Sequence, residues 1–488
     1  MSAPKPASPS TARAMNDRLA LRLLQQEGPL TAAQLKRLTG LSRPTVADLV
    51  ERLTAAGLVG VVGEAGEQRR GPNAKLYGIA ADRARLAALD VRTEGVSVLV
   101  SDLVGRVLAE ASRPIGGHLG TGPAVEQAVT LVERAAEEAG VVAGEPGVPG
   151  TLHTVGIGAP GLIDPATGEL RDSTGLPEWH RRLVAALQGR FSDARVTVEN
   201  ETNLAAVAEQ REGAATDRDT FVLLWLGHGT GAAVVLDGAL RRGASGGTGE
   251  IGFLPVPGTR GLPSAKDCDG GFHSLAGSAA VVALAREHGV AAPPGDDAPA
   301  AAAAVRSATE ALRGQGPDDA RPGGPAGHSV SGAGAGEPGR GDLTDAGGSI
   351  GGGGVRGADG TADTEGSIGG GAWTGARDGA GPGEEVGPPG GPAREAAARF
   401  LDVLADRIVL GVASVVAVLD PGCVVLGGEV GQAGGAELAD RVGERLRRMA
   451  PLATEVRHST LGGPAVLRGA LLTARESAQD HLVAPHEH

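Results

Sequence analysis

Apolar residues recur at helical spacing in two short segments near the start of the chain, and strand-like residues follow them. Thr31 and Ser42 each precede one segment and are suited to cap a helix, and Gly40 separates the two. Pro44 falls in the first turn of the second segment, where its missing N–H costs nothing. The apolar stripes are Ala33, Leu35 and Leu38 in the first segment and Val46, Leu49, Val50 and Leu53 in the second. The pattern predicts two helices joined by a tight turn, with a β-hairpin over residues 61–79.

The second predicted helix carries side chains suited to DNA at its N-terminal end. These are Ser42, Arg43, Pro44, Thr45 and Asp48. In helix-turn-helix proteins this end meets base edges and phosphates. The predicted hairpin adds a basic group formed by Arg69, Arg70 and Lys75. An ordinary helical pair with a solvated charged face is the alternative. The order of caps, turn, apolar stripe and basic hairpin favours a winged helix-turn-helix over residues 15–80 that binds double-stranded DNA.

Charge is distributed unevenly along the chain. Residues 1–80 hold eleven lysines and arginines against six aspartates and glutamates, whereas the whole chain has a net charge of −13. This asymmetry is expected when only one end of an acidic protein approaches phosphate groups. The positive excess is modest for one copy, so we expect a homodimer or homotetramer that presents several DNA-binding modules.

Beyond residue 86 the apolar pattern alternates between strands and helices. Short apolar runs predict strands over residues 87–91, 96–100, 155–158, 196–198, 221–226, 232–236 and 424–426. Longer periodic stretches predict helices over residues 125–139, 204–209 and 396–418. This alternation is typical of an α/β fold.

Cysteine content and the lack of long apolar runs bear on the cellular compartment. The chain has two cysteines, Cys268 and Cys423, and its polar N-terminus has no signal-peptide pattern. No run approaches the roughly 20 apolar residues that a membrane helix needs. We therefore expect a cytoplasmic protein without a membrane partner.

A glycine-rich segment interrupts the α/β pattern. Residues 321–392 hold 27 glycines, and the hexapeptide GSIGGG occurs there twice. Such a segment has too few large apolar side chains to offset the entropy lost on ordering. We predict a disordered insertion over residues 292–392, with a helical remnant at 300–312. The other predicted regions are a tail over 1–14, the winged helix-turn-helix over 15–80, an α/β domain in two parts over 86–291 and 393–476, and a second tail over 477–488.

Five segments of the α/β domain carry recognisable motifs. They are GIGAPGLID (156–164), VENETNLAAVAE (198–209), GHGTGAAVVLDGALRRGASGGTGEIG (227–252), LDPGCVVLGGEV (419–430) and GGPAVLRGA (462–470). In these segments and their order the chain resembles the ROK family, which comprises repressors, open reading frames and sugar kinases. The resemblance implies a two-lobed, actin-like (ribonuclease H-like) fold. Regulators of the family carry an N-terminal winged helix, which the opening pattern predicts independently.

The resemblance also indicates where a kinase of this family would hold ATP. Family kinases have an Asp-x-Gly-Gly-Thr turn after the first strand, where backbone N–H groups approach the phosphates. Residues 90–94 read DVRTE, so side chains replace the glycines and Glu94 adds negative charge. A second phosphate turn persists at residues 229–231, although a hairpin required by the fold explains it equally well. We expect no enzymatic activity and no cofactor.

The resemblance implies a ligand site formed by Gly161, Asn200, Glu201 and Glu250. The family's Asn-Asp pair, in which the Asp takes the proton of a sugar hydroxyl, appears here as Asn200-Glu201. The longer Glu side chain displaces the carboxylate, so Glu201 is a degenerate base position and no catalytic residue is predicted. The alternative is that Asn200 and Glu201 only cap the following helix and that Glu250 begins another.

Zinc ligation implied by the family is also altered. Family members use the His of a Gly-Glu-x-Gly-His motif and a downstream cysteine cluster. Here Phe253 stands at the His position, and the cluster region retains only Cys268 and His273. Two ligands do not close a four-coordinate site, so no metal is predicted.

These observations predict a DNA-binding transcriptional regulator, a repressor that senses a sugar or sugar phosphate through a degraded kinase-like domain. One alternative is an active sugar kinase with a fused DNA-binding arm. Another is a ligand-independent scaffold that dimerises such arms. The altered phosphate turn and the Asp-to-Glu change favour the regulator over the kinase.

Overall fold

The computed structural model describes residues 9–65, 74–115, 119–142, 150–171, 177–264, 268–313 and 391–483. Within these ranges the chain forms one three-stranded sheet near its N-terminus and two five-stranded sheets in the α/β domain. None of the described helices combines the length and apolar character that crossing a bilayer requires.

The N-terminal module is a winged helix. Its elements are α1 (Pro9–Glu27), β1 (Leu30–Thr31), α2 (Ala32–Thr39), α3 (Arg43–Ala55), β2 (Val59–Ala65) and β3 (Ala74–Ile79). Thr31 and Gln34 form a reciprocal capping box: Thr31 Oγ1 accepts from the Gln34 N–H at 3.2 Å, and Gln34 Oε1 accepts from the Thr31 N–H at 2.9 Å. Gly40 ends α2 with a φ of 71°. β3 pairs antiparallel with both β1 and β2.

The apolar stripe of α3 is buried as predicted, but that of α2 is not. Leu35 is buried, whereas Leu38 is 41% exposed and Ala33 is also exposed. The eight residues of α2 make only about two turns, so one leucine fills the inner face. The predicted stripe was therefore too wide.

The first lobe of the α/β domain follows a short 3-10 turn at Ala81–Arg83. It consists of β4 (Arg85–Arg92), β5 (Gly95–Asp102), β6 (Val107–Pro114), α4 (Thr121–Glu138), β7 (Leu152–Ala159), α5 (Glu178–Arg190), β8 (Arg195–Asn200) and α6 (Glu201–Glu212). The sheet order is β6-β5-β4-β7-β8. β4, β5 and β6 form an antiparallel meander, and β4, β7 and β8 run parallel.

The second lobe repeats this strand order. Its elements are β9 (Phe221–Leu226), β10 (Thr230–Leu236), β11 (Ala239–Arg241), a 3-10 turn (Ile251–Phe253), α7 (His273–Ala276), α8 (Ser278–Glu287), α9 (Ala298–Arg313), α10 (Pro392–Leu419), β12 (Cys423–Gly427), α11 (Gly428–Met449), β13 (Glu455–His458) and α12 (Ala465–Val483). The sheet order is β11-β10-β9-β12-β13, again three antiparallel strands followed by two parallel ones. The predicted two-lobed α/β fold is thus confirmed.

The last helix, α12, returns to the first lobe and packs on α6, β4 and β7. Gly469 permits this approach, because a Cβ there would lie 2.0 Å from the Leu204 carbonyl oxygen. β7 is buried at every position, as expected of a central parallel strand with helices on its faces.

Helix α9 corrects the predicted start of the insertion. Its buried face consists mainly of small side chains: Ala300, Ala301, Ala304, Val305 and Ala308. Such a face lets neighbouring helices approach closely, and α9 packs on α8, α10 and α11. Residues 298–313 therefore belong to the folded domain, and the boundary at 292 was placed too early. The remainder of the predicted insertion, residues 314–390, lies outside the described residues.

Both predicted tails were also drawn too long. α1 begins at Pro9 rather than after residue 14, and α12 continues to Val483 rather than ending at 476. The two helices pack on each other, with Leu21 and Ala478 buried. This tertiary contact stabilises helix ends that have few apolar residues of their own.

The winged helix packs directly on the α/β domain at this contact. The Arg18 guanidinium pairs with Asp480, and Gln25 Nε2 donates to the Val104 carbonyl oxygen at 2.8 Å. A single cluster of buried apolar side chains extends from α1 and α3 to the sheets of the α/β domain. The two modules therefore share a core.

Candidate functional site

The N-terminal end of α3 presents hydroxyl groups and an exposed guanidinium. Ser42 is the N-cap, and its Oγ accepts from the Thr45 N–H at 3.4 Å and lies 2.8 Å from Thr45 Oγ1. Arg43 is exposed, and no described carboxylate pairs with it. Pro44 occupies the first turn. Because a helix N-terminus carries a partial positive charge, this end of α3 is chemically suited to phosphate oxygens and base edges.

Asp48 takes part in an ion pair within the module. Its carboxylate pairs with Arg52 one turn later, and Arg52 Nη2 also lies 2.5 Å from Asp17 Oδ1 of α1. Arg52 therefore ties α3 to α1. A base contact by Asp48 would require its pair to open, so its geometry favours a positioning role.

The predicted wing corresponds to the hairpin of β2 and β3. Lys75 is exposed on β3 and lies opposite Glu64 in the strand register. Arg69 and Arg70 lie outside the described residues, and their DNA contacts stay a prediction.

A cavity of about 440 Å³ lies between the two lobes. The four residues predicted as ligand contacts all line it: Gly161, Asn200, Glu201 and Glu250. Gly161 follows β7 of the first lobe, Asn200 and Glu201 stand at the junction of β8 and α6, and Glu250 comes from the second lobe. The fold therefore brings together residues separated by up to 89 positions in the sequence. Cavities of this size hold small ligands.

Asn200 is fixed by three short contacts. Its Oδ1 accepts from the Thr202 N–H at 2.9 Å, which caps α6. Its Nδ2 donates to the Gly161 carbonyl oxygen at 3.0 Å and to Glu201 Oε2 at 3.1 Å. Asn200 thus caps the helix, as the alternative interpretation held, and also orients Glu201 towards the cavity.

The two carboxyl groups in the cavity are poorly solvated. Desolvation raises the pKa of Glu201 to about 8, and the hydrogen bond from its own backbone N–H and the charge of Arg92 offset this only in part. Burial also raises the pKa of Glu250. At neutral pH a protonated Glu201 offers both an O–H donor and an acceptor oxygen, which suits a hydroxyl-bearing ligand.

Several residues that the sequence analysis did not assign to the ligand site line the same cavity. They are Leu162, Thr202, Asn203, Trp225, Thr248, Phe253, Cys268 and His273. Trp225 is the most informative, because an aromatic side chain in the lining of a polar cavity can contact the apolar part of a ligand, and 7% of this residue remains exposed. Its position two residues before the glycine motif at residues 227–231 was the available signal.

Arg92 lies beside this cavity, next to the lining residue Trp225. Its Nε donates to Asp90 Oδ1 at 2.8 Å, and its Nη1 donates to Glu429 Oε1 at 2.7 Å. The guanidinium carbon lies 5.4 Å from the centroid of the Trp225 ring. Asp90 belongs to the first lobe, whereas Glu429 and Trp225 belong to the second. Arg92 therefore joins the two lobes at the turn where the resemblance to family kinases places the phosphates.

The electrostatics of this contact disfavour a polyphosphate. Burial lowers the pKa of Arg92, but Asp90 more than compensates, so the net pKa is raised and the guanidinium stays charged. Desolvation raises the pKa of Asp90 despite its partner, and Glu429 Oε2 is buried without a hydrogen-bond donor among the described residues. A nucleotide would add negative charge beside these carboxylates and would have to displace Arg92. The charges and contacts at this position are therefore unfavourable for ATP.

The residues at the positions of the family's zinc ligands do not fit a zinc ion. Phe253 cannot ligate a metal, and Cys268 and His273 border the cavity between the lobes. Within the described ranges, no three His, Cys, Asp or Glu side chains are grouped so as to hold a metal ion.

Two parts of the chain match known families. Residues 16–71 match the MarR family, and residues 127–304 match the ROK family. The chain joins a MarR-type winged helix to a ROK family domain. This pairing is the organisation that the opening motif and the five α/β motifs predict together.

Two curated relatives that this chain matches are transcription regulators by name. The xylose repressor of Caldicellulosiruptor bescii is 25% identical over 244 residues, which cover 50% of this chain and 59% of the relative. The DNA-binding transcriptional dual regulator NagC of Escherichia coli K12 is 25% identical over 252 residues, covering 50% and 57% respectively. The chain thus spans somewhat less than two thirds of the curated relatives it matches.

A solved structure resembles the whole described architecture. It is a ROK family transcriptional regulator, a homologue of the E. coli MLC protein, and the alignment covers 97% of this chain and 98% of that structure. The TM-score is 0.63 at 16% sequence identity. At this identity the likeness concerns the fold.

Proposed function

We propose that this protein is a transcriptional repressor whose winged helix binds operator DNA and whose interlobe cleft binds a sugar or sugar phosphate without phosphorylating it. The observation that carries the proposal is the position of Arg92, which bridges Asp90 and Glu429 in the phosphate half of the cleft while the sugar half remains an open cavity. The regulatory names of the relatives support the same interpretation.

The cavity lining supports a ligand rich in hydroxyl groups. Glu201 and Glu250 offer carboxyl oxygens, and Trp225 offers an apolar face. The protonated Glu201 can both donate and accept a hydrogen bond, and an ionised carboxylate at Glu250 makes a stronger, charge-assisted one, so these contacts favour selective binding. The Glu201 carboxyl takes part in binding rather than in proton abstraction, because no phosphoryl donor fits beside it.

Packing offers a route from the cleft to the DNA-binding surface. Glu201 begins α6, α6 packs on α12, and α12 packs on α1 of the winged helix. A ligand alters DNA affinity only as far as it binds two arrangements of the lobes unequally. A tenfold change in operator affinity corresponds to about 1.4 kcal/mol of coupling, which one or two charge-assisted hydrogen bonds can supply.

The DNA-binding part of the proposal is tested by mobility shift with the full-length protein and the DNA upstream of its own gene. Arg43→Ala should cost about 1–3 kcal/mol at a specific site if Arg43 reads a guanine. Arg70→Ala should weaken binding to all sequences alike. Arg134→Ala, on the exposed face of α4 in the first lobe, is the matched control and should change nothing. Operator binding that survives deletion of residues 1–80 would refute the assignment.

The oligomeric state is part of the same test. We propose a homodimer or homotetramer in which two winged helices contact half-sites about one helical turn of DNA apart, near 34–36 Å. Light scattering of the protein with and without operator DNA measures this, and a strict 1:1 complex of one chain with one half-site would contradict it.

The ligand part is tested by calorimetry with a panel of monosaccharides and their phosphates, followed by operator binding with each ligand found. Binding that changes operator affinity supports the repressor. If no sugar binds while operator binding is intact, the protein is better described as a ligand-independent scaffold than as a sugar-responsive repressor. Sugar-dependent release of ADP would favour the kinase with a fused DNA-binding arm.

A further inference from the structure

A second cavity lies at the junction of the winged helix and the ROK domain. It has a volume of about 400 Å³ and is bounded by α1, α6, α12 and the turn between β5 and β6. Its charged lining consists of four arginines and two glutamates: Arg22, Arg211, Arg468, Arg475, Glu212 and Glu476. The cavity therefore has an excess of positive charge in a chain whose net charge is −13.

Most of this positive charge lacks a carboxylate partner among the described residues. Arg468 pairs with Glu212 Oε2 at 2.5 Å. Arg475 donates only to the Val104 carbonyl oxygen, at 3.4 Å, and no described carboxylate lies within ion-pair distance of Arg22 or Arg211. The cavity thus holds three guanidinium groups, those of Arg22, Arg211 and Arg475, that have no ion-pair partner among the described residues.

The deeper part of the cavity is built around Arg475. Gly105, with a φ of 89°, makes room for it, because a Cβ there would lie 2.8 Å from Arg475 Nη1. Burial lowers the pKa of this guanidinium, which indicates that its charge is under-solvated. Nearby, Gln479 Nε2 is buried without an acceptor among the described residues. Unmatched buried donors are costly, and a bound anion would satisfy them.

We propose that this cavity binds a small phosphate-bearing anion, either inorganic phosphate or the phosphate group of a metabolite, through Arg475, Arg22 and Arg211. Guanidinium groups bind phosphate oxygens through paired N–H donors, which suits them to this chemistry better than lysines. A small anion fits better than a DNA duplex, because Arg475 and Gln479 are partly enclosed between helices, whereas DNA phosphates bind to exposed surfaces.

The site would link the two functional modules. Arg22 belongs to α1 of the winged helix, and Arg475 belongs to α12 of the ROK domain. An anion held by both stabilises the arrangement in which the winged helix packs on the ROK domain. This effect is independent of the sugar cleft, so the proposal does not rest on the sugar-binding assignment.

The test is calorimetry of the full-length protein with inorganic phosphate, with sodium chloride of equal ionic strength as the reference. Wild type should bind one phosphate per chain, and Arg475→Gln and Arg22→Gln should each weaken binding at least tenfold. Arg134→Gln, an exposed arginine on α4, is the control and should bind as wild type. Arg22 is exposed, so its variant keeps the test valid even if Arg475→Gln fails to fold.

A hexose 6-phosphate and the parent hexose, compared in the same assay, distinguish the source of the phosphate. Tight binding of the hexose phosphate that is lost in Arg475→Gln supports a metabolite at the junction. If binding of the hexose phosphate is lost in Glu250→Gln but unchanged in Arg475→Gln, the ligand binds in the interlobe cleft, and the proposal is overturned. No phosphate binding above the chloride reference also overturns it, and weakened duplex binding by Arg22→Gln would then identify the surface as a DNA contact.

Discussion

The two halves of the interlobe cleft differ in what occupies them. In the half that the resemblance assigns to phosphate, Arg92 stands at the end of β4 and joins Asp90 of one lobe to Glu429 of the other. In the sugar half, Glu201 and Glu250 face a cavity of about 440 Å³. A kinase of this fold needs both halves open, whereas a ligand sensor needs only the second. If the proposed function is right, one side chain closes the phosphate half of the cleft while the cavity proposed for the ligand is kept.

The largest expected effect is the absence of phosphoryl transfer. With ATP, Mg²⁺ and each sugar of a panel, we expect no sugar-dependent ADP release, because Arg92 and Glu94 occupy the phosphate turn. A coupled ADP assay measures this, with an active sugar kinase as the positive control. Sugar-dependent turnover of order 1 s⁻¹ or more, as enzymes typically show, would contradict the proposal that Arg92 closes the phosphate half of the cleft.

Removal of the bridging guanidinium should destabilise the protein. Arg92→Ala leaves Asp90 and Glu429 facing each other in a poorly solvated site, and we expect a loss of about 2–4 kcal/mol in the free energy of unfolding. This is below the effect of a fully buried pair, since 24% of the Arg92 side chain is exposed.

Urea titration of Arg92→Ala measures this loss of stability. Arg182→Ala is the matched control, because it breaks an exposed pair with Glu178 on α5 that should contribute only about 0.3–0.5 kcal/mol. Equal losses in the two variants would mean that Arg92 does not tie the lobes together.

In the open half, Glu250→Ala should weaken sugar binding about tenfold, corresponding to about 1.4 kcal/mol for a lost charge-assisted hydrogen bond. Calorimetry with the sugar identified in the panel measures the change. Glu110→Ala, at an exposed position on β6, should bind as wild type. Unchanged affinity in Glu250→Ala would remove Glu250 from the proposed ligand site.

The last expected effect is a pH-dependent gain in stability for Glu201→Gln. The pKa of Glu201 is raised from 4.5 to about 8 in the folded protein, so the folded state holds an extra proton between these values. Its contribution to stability therefore falls as the pH rises from about 4.5 to 8. Glu201→Gln cannot ionise at this position, so the variant does not lose stability in this way as the pH rises. The Tm of the variant should therefore match that of wild type near pH 4.5 and exceed it by roughly 2 °C or more at pH 8.

Thermal unfolding of both proteins across this range, with Glu110→Gln as the control, checks the prediction. A Tm difference that does not vary with pH would show that Glu201 is well solvated.

Local signals in the sequence determined much of the winged helix. The Thr31 and Ser42 caps and Gly40 act within a few residues, so they fix the ends of α2 and α3 without help from the rest of the chain. Motif order likewise predicted the two-lobed fold, and all four predicted ligand residues line one cavity.

Tertiary structure decided what depends on residues far apart in the chain. Arg92 and Glu429 are 337 positions apart, so no local pattern identifies them as partners, and the sequence gives only an arginine in place of a glycine. Helix α9 joins the core because other helices cover its alanine face, although alanines alone predict little burial. Capping and periodicity depend on short-range geometry, whereas ion pairs and burial depend on which surfaces the fold brings together.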